Sequence, residues 1–547
     1  MRQLASACVL CFLLAACGGG GGGSSSSGSG GPTVVSGKVT FDFVPVALTG
    51  ALPRLDYGST ARRPARSVVV EAVDAAAQSV LATASTNAAG DYTLTLPAGR
   101  TAFIRAKAAM KAIGSSAADI AVVDNTSAGA QWAIDGAPFF TGVTPALTQN
   151  LNAGSGWNGS AYIEAERAAG PFAILDTIYQ AAQKIISVDP AISFPKLNAN
   201  WSPNNVASNG DIDIASGQIG TSFYQRTTSG GTVIRNLYFL GFADNDTDEY
   251  DRHVVAHELG HYLQEAFARD DSVGGLHGGP DDLLDLRVAF SEGWSNGWSG
   301  IALNNPVYSD TIGPSQASGG SFNVSVGEST NPGWFREHSV EKMFWDFSNH
   351  ASIGFSQVWS TLKTGLTVSA ALSSIHSFAR ALADDTSNNA LVASILATQN
   401  IVLPTTPYAD NETNFGNPVI ANINPIYLTY GSLNTALANV CVGNAADPLF
   451  DANKAGEYRH VRLTLPAGNR TFTVTQSSST PNASDPDFVL HNSAGRLLEA
   501  NGIVSNSETA TWSLPAGDYV LAITDFRLFR PTSSGGNTSA CFSLTVQ

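Results

Sequence analysis

The chain has 547 residues and 43% of them are hydrophobic, enough for several cores and for more than one domain. A formal net charge of −16 excludes the basic surface that nucleic-acid binding needs. Beyond the N-terminus no stretch is long and apolar enough to cross a bilayer as a helix.

The N-terminus reads MRQLASACVLCFLLAAC. Arg2 supplies a short positive region, and Leu4 to Ala16 form an apolar run too short for a permanent membrane span. Leu14-Ala15-Ala16-Cys17 resembles a bacterial lipoprotein cleavage box. The resemblance implies that residues 1–16 are a signal peptide and that Cys17 becomes the lipidated first mature residue. Residues 17–31 then form a glycine/serine tether, flexible by composition. The expected location is the cell envelope by a lipid anchor in the membrane. The outer membrane is favoured, because Gly18 gives no inner-membrane retention signal. A plain signal peptide ending in a chance cysteine is the alternative. Cys8 and Cys11 leave with the signal peptide, so Cys441 and Cys541 remain. In an exported protein that pair invites one disulfide, with two buried thiols as the alternative.

Residues 32–154 read as β structure. VVSGKVTFDF and SVVVEAVDA alternate or run β-branched, and TNAAGDYTLTLPAGRTAFIRAKA alternates turn and strand. The segment resembles the small sandwich domains found beside carboxypeptidases. From about Trp157 the period changes. SAYIEAERAAGPFAILDTIYQAAQKIISV is helical, GTVIRNLYFLGFA is a strand, and Leu362 to Ala397 holds further helices. The α+β block 155–432 is the expected catalytic domain.

Within that block lies HVVAHELGHYLQEAF, His253 to Phe267. Residues four apart share a helical face, so His257 and His261 can offer two imidazole nitrogens to one metal ion. Glu258, one position on, can serve a water at that metal as general base. The preceding run DNDTDEYD offers Asp246 or Thr247 as a helix N-cap, with acids in the first turn. Its carboxylates also make calcium a second candidate cofactor. Downstream, VAFSEGWSNGWSG places Glu292 as a third ligand and Asn296 on the same face as a partner for a ligating histidine. Trp294 and Trp298 lie on another face and read as core. HELGH followed by an E-G-W-S-N helix resembles the gluzincin metallopeptidases, and SEGWSN resembles the fungalysin-type secreted proteases. The resemblance implies Zn2+ held by His257, His261 and Glu292, with Glu258 as base. Asn296 departs from it, since such families commonly carry Asp there. Arg336, Glu337 and His338 open a helical pattern, and His338 is the candidate oxyanion donor. His277, in GGLHGGPDD, is a second candidate, and His253 reads as an outer partner or exposed.

Residues 437–547 return to β pattern. Leu-Pro-Ala-Gly ends a strand pattern at Leu96, Leu465 and Leu514, which is turn chemistry. SDPDFVLHNSAGRLLEAN resembles the C-terminal β-sandwich appended to many secreted bacterial proteases, and Asp485 and Asp487 are a further calcium candidate. The expected fold is multidomain: a central α+β zincin-like metallopeptidase domain flanked by N-terminal and C-terminal all-β sandwiches. The expected activity is zinc-dependent hydrolysis of a protein or peptide substrate. Two alternatives stand beside it: a non-catalytic surface adhesin or matrix binder that keeps a metal site, and a zinc hydrolase of non-peptide amides or esters.

Overall fold

The computed structural model describes residues 31–49, 52–208, 210–277, 282–415, 423–443, 453–477, 483–502, 506–529 and 536–547. The signal-peptide and lipidation expectations, Cys17 included, lie outside them. The molecule is multidomain, with β-rich regions at both ends and seven α-helices among the described residues. None of these helices is long and apolar enough to cross a membrane.

The largest sheet runs in the order 223–229, 232–239, 194–201, 116–124, 101–113, 68–74, 80–85. Its N-terminal strands pair antiparallel, as hairpin-connected strands do. The join at 116–124 and 194–201 is parallel, with Leu197 opposite Ile120 and Ala199 opposite Val122. A parallel neighbour requires a crossover, and helix α1 (Ala169–Ile186) lies within it. Most of α1 is buried, from Phe172 to Ile185, because it covers this sheet. A boundary at residue 154 is therefore corrected: the sheet crosses it. The N-terminal β region and the central block also share one hydrophobic core, from Val35 and Val70 through Leu197 to Trp294 and Phe344. Alternation announces strands but not their partners, so this long-range pairing left no local signal. A second, smaller sheet surrounds Thr33–Phe43.

Helices α2 (Arg252–Phe267), α3 (Leu286–Leu303) and α4 (Glu337–Asn349) pack against one another at the centre. Gly260 and Gly293 permit the close approach. A Cβ on Gly260 would lie 2.9 Å from Ser295 Cα, and one on Gly293 would lie 2.5 Å from Val340 Cβ. Helices α5 (Gly354–Gly365), α6 (Ile375–Thr386) and α7 (Asn389–Ala397) complete the block.

The C-terminal module stacks a five-stranded and a four-stranded sheet around its own core, which includes Val461, Phe472, Phe488 and Leu521. Its first strand is Tyr427–Thr429, paired parallel with His460–Arg462, so the module begins before the expected 437. Cys441 and Cys541 face each other in register and form the disulfide. All three Leu-Pro-Ala-Gly segments end strands, at Leu96, Leu465 and Leu514, where proline's missing N–H cannot continue a ladder.

Candidate metal centre

Helix α2 begins at Arg252, with Asp251 at the N-cap position and no side-chain cap bond. The capping role expected of Asp246 or Thr247 is thus corrected. Those two residues form a short strand against Gly241–Phe242 and Ile312. Asp251 instead accepts from the Thr311 N–H and hydroxyl, at 3.0 and 2.7 Å. Within α2 the four-residue spacing places His257 and His261 side by side, with Nε2 atoms 3.2 Å apart. His257, Glu258 and His261 each offer a ligand atom within 4.8 Å of the others.

Helix α3 brings Glu292 to the same point. Its Oε2 lies 3.4 Å from His257 Nε2 and 3.2 Å from His261 Nε2. That oxygen is buried and makes no hydrogen bond of acceptable geometry. A buried carboxylate oxygen without a donor is costly, whereas a cation would satisfy it. Ligands about 2.0–2.1 Å from tetrahedral zinc stand about 3.3–3.4 Å apart, close to the separations here. Two imidazoles and a carboxylate are a donor set that suits zinc, and the residues present fit the group.

The ligands are held from behind. Asn296, one turn beyond Glu292, meets His257 Nδ1 through Oδ1 at 2.7 Å and donates Nδ2 to Glu337 Oε1 at 2.6 Å. An amide oxygen can only accept, so His257 carries its proton on Nδ1 and presents Nε2 inward. Ser291 Oγ stands 3.1 Å from His261 Nδ1. Trp294 and Trp298 are fully buried, and Trp294 donates to the Gly260 carbonyl at 2.9 Å, which ties α3 to α2.

His277 reaches the same carboxylate. Its Nε2 lies 3.2 Å from Glu292 Oε2, and its Nδ1 lies 2.9 Å from Glu337 Oε2. Burial disfavours protonated imidazoles here, but the Glu292 charge outweighs it. His261 is raised to about 9 and His277 to about 10. Burial also works against an ionised Glu292, yet His261 and His277 hold it well below the usual carboxylate range. The pocket thus attracts positive charge, as protons or as a metal. Burial pushes Glu258 the other way, above its ordinary range, against the pull of His257 and His261. That is the direction a general base needs.

His338, the expected oxyanion donor, stands on α4 next to Glu337, which binds His277 and Asn296. It pairs with Glu341, Nδ1 to Oε2 3.1 Å, and packs its ring 4.8 Å from that of Phe322. Burial lowers its proton affinity, but Glu341 raises it more, to about 9. His253 is buried, turns to the Asn305 carbonyl at 3.1 Å, and is lowered to about 4 by burial. Tyr308 carried no signal in the sequence. Its ring meets His257 edge-on with centroids 6.2 Å apart. Burial, with Asp310 and then Glu258 beside it, keeps its hydroxyl protonated far above the usual range.

The acidic run also gathers. Asp246, Asp248 and Asp310 have carboxylate oxygens within 4.8 Å of one another. Burial and mutual repulsion raise Asp248, and burial raises Asp310 to about 6. In the C-terminal module, burial with Asp485, Glu508 and Asp525 nearby raises Asp487 to about 7.

Comparison with family models and with curated proteins finds no match. Among solved structures, similar chains include the pre-peptidase C-terminal domain of a collagenase from Bacillus anthracis. It is 14% identical, covers 22% of this chain and 94% of that one, and has a TM-score of 0.16. CorA, a surface-associated copper-binding protein of Methylomicrobium album, is 11% identical over 22% of this chain and 96% of its own, at TM-score 0.16. Aeromonas hydrophila PliG, a periplasmic lysozyme inhibitor, is 17% identical over 22% of this chain and 96% of its own, at TM-score 0.15. At such scores these likenesses carry no functional argument.

Proposed function

We propose that the protein is a zinc-dependent metallopeptidase of gluzincin type, anchored by a lipid on Cys17 outside the cytoplasm. The observation that carries this reading is the meeting of His257, His261 and Glu292 Oε2 on two packed helices, with the buried Glu258 beside them. Held by His257, His261 and Glu292, zinc would supply Lewis-acid polarisation of the scissile carbonyl and would acidify a bound water. Glu258 takes the proton from the attacking water and delivers it to the leaving amine. Its raised proton affinity suits both halves of that transfer. Asn296 and Ser291 fix which nitrogen of each histidine faces inward. Tyr308, whose ring meets His257 edge-on, takes the oxyanion-donor role rather than His338, which pairs with Glu341.

The test is Glu258→Gln in the full chain. Zinc content stays at wild-type level, while casein or gelatin cleavage falls by about 10²–10⁴-fold, the usual contribution of a general base. Undiminished cleavage by the variant contradicts the assignment.

One observation favours a second reading, a non-catalytic surface protein that keeps the metal for structure. His277 stands against the same carboxylate oxygen as the two motif histidines. A centre with four protein ligands has no open position for chemistry.

A further inference from the structure

We propose that His277 is a fourth protein ligand of the metal, presented by the segment 271–277 that the C-terminal module holds, so that the centre rests closed and chemistry at it requires His277 to be displaced. The inference builds on the assignment of His257, His261 and Glu292 as ligands.

Three features single out His277. Its Nε2 is 3.2 Å from Glu292 Oε2, an oxygen that His257 and His261 approach at 3.4 and 3.2 Å. Each of these separations from Glu292 Oε2 is close to one edge of a tetrahedron with metal–ligand bonds of about 2.0–2.1 Å. Its other nitrogen, Nδ1, faces Glu337 Oε2 at 2.9 Å. A ligating imidazole needs this backing, since it places the proton on Nδ1 and frees Nε2. Finally, Glu337 also receives the Asn296 amide that orients His257. One carboxylate therefore aligns two histidines from different segments onto the same point.

The loop is held from the C-terminal side. The Leu276 carbonyl accepts from Asn453 Nδ2 at 2.9 Å and from Lys454 Nζ at 3.1 Å. Lys454 also pairs with Asp282 at 3.0 Å. Backbone bonds from Asp285 N to Asn453 O and from Ala455 N to Leu283 O extend the contact. Upstream, Asp271 is buried against His491 of the same module, at 3.4 Å. The Leu276 side chain is itself 71% exposed, so main-chain bonds rather than apolar burial hold the residue next to His277. His277 shares Glu292 Oε2 with His257 and His261, which group with the base Glu258, so the position it leaves opens in the same cluster. The C-terminal module thereby sets the coordination number of a centre on another part of the chain.

The experiment compares zinc- and cobalt-loaded full-length protein, wild type against His277→Ala and Lys454→Ala. X-ray absorption at the zinc edge counts imidazoles, and azide titration of the cobalt form reads access to an open position. The expected wild type shows three imidazoles and no spectral response to azide. His277→Ala shows two imidazoles and responds. Lys454→Ala, which removes no ligand, loses imidazole scattering relative to wild type and responds at higher azide. Two imidazoles with azide access in the wild type overturn His277 as a ligand while leaving the centre intact. A His277→Ala spectrum identical to wild type does the same. An unchanged Lys454→Ala overturns the hold of the C-terminal module. A wild type that holds no zinc, or a His257→Ala variant that holds it normally, overturns the underlying metal assignment instead.

Discussion

Asn296 carries no charge, yet it sits at the junction of two ligand supports. One side of its amide receives His257 Nδ1 and the other donates to Glu337. An aspartate there could accept from the histidine but could not donate to a second carboxylate, and two buried acids would repel. The departure from the family pattern is thus matched by Glu337, which supplies the negative charge one residue further out. Asn296→Ala is expected to weaken zinc binding by about 10–100-fold, read by chelator competition, with the fold retained. Unchanged affinity would show that the amide is incidental. His257, Glu258 and His261 were legible because a helix converts spacing into a shared face. Glu292 and Asn296 were legible for the same reason, one helix later. The Glu341 partner of His338 and the approach of Tyr308 to His257 were not legible, because a strand and a second helix bring them in and spacing says nothing of that direction. His277, noted only as an alternative donor, is a third histidine that reaches Glu292.

Helices α2 and α3 must lie close for Glu292 to meet the two histidines, and Gly260 is where they touch. Gly260→Ala puts a methyl about as close to Ser295 as atoms can come, so one helix has to move. Zinc affinity is expected to fall in this variant more than in Gly320→Ala, whose added methyl would meet nothing within 4 Å. Equal losses would contradict the packing argument. The acidic segment before α2 has a different consequence. Burial raises Asp310 to about 6 and Asp246 to about 7, so the folded chain binds protons that the unfolded chain releases at lower pH. A raised carboxyl contributes stability that is fully present below about pH 4 and lost as pH rises through about 6–7. Asp310→Asn is therefore expected to stabilise the protein at pH 7.5 by about 1–3 kcal/mol and to have little effect at pH 4, by thermal or denaturant unfolding. A destabilised variant at pH 7.5 would contradict this. The acidic composition of this segment was visible in the sequence. Its inward turn was not, because Asp310 joins it from a strand beyond α3.

At the scale of the whole molecule, composition and pattern announced β-rich ends around a helical centre. The limits of the parts were not legible. The N-terminal strands enter a sheet completed by 194–201 and 232–239, and the C-terminal module recruits Tyr427–Thr429. Hydrogen bonds between distant strands, with no composition break, decide both. The consequence is mechanical: one continuous sheet and core back helices α2 and α3, and the C-terminal module adds Tyr427, Ala455 and Val520 to that core besides its contacts around Leu276 and Asp285. The central claim is that His257, His261 and Glu292 hold one metal ion beside Glu258. Crystals of the zinc-loaded full chain, measured above and below the zinc absorption edge, test it most directly. An anomalous peak within about 2.0–2.2 Å of His257 Nε2, His261 Nε2 and a Glu292 oxygen is the predicted result. No peak there, or a fully occupied peak elsewhere, would contradict it.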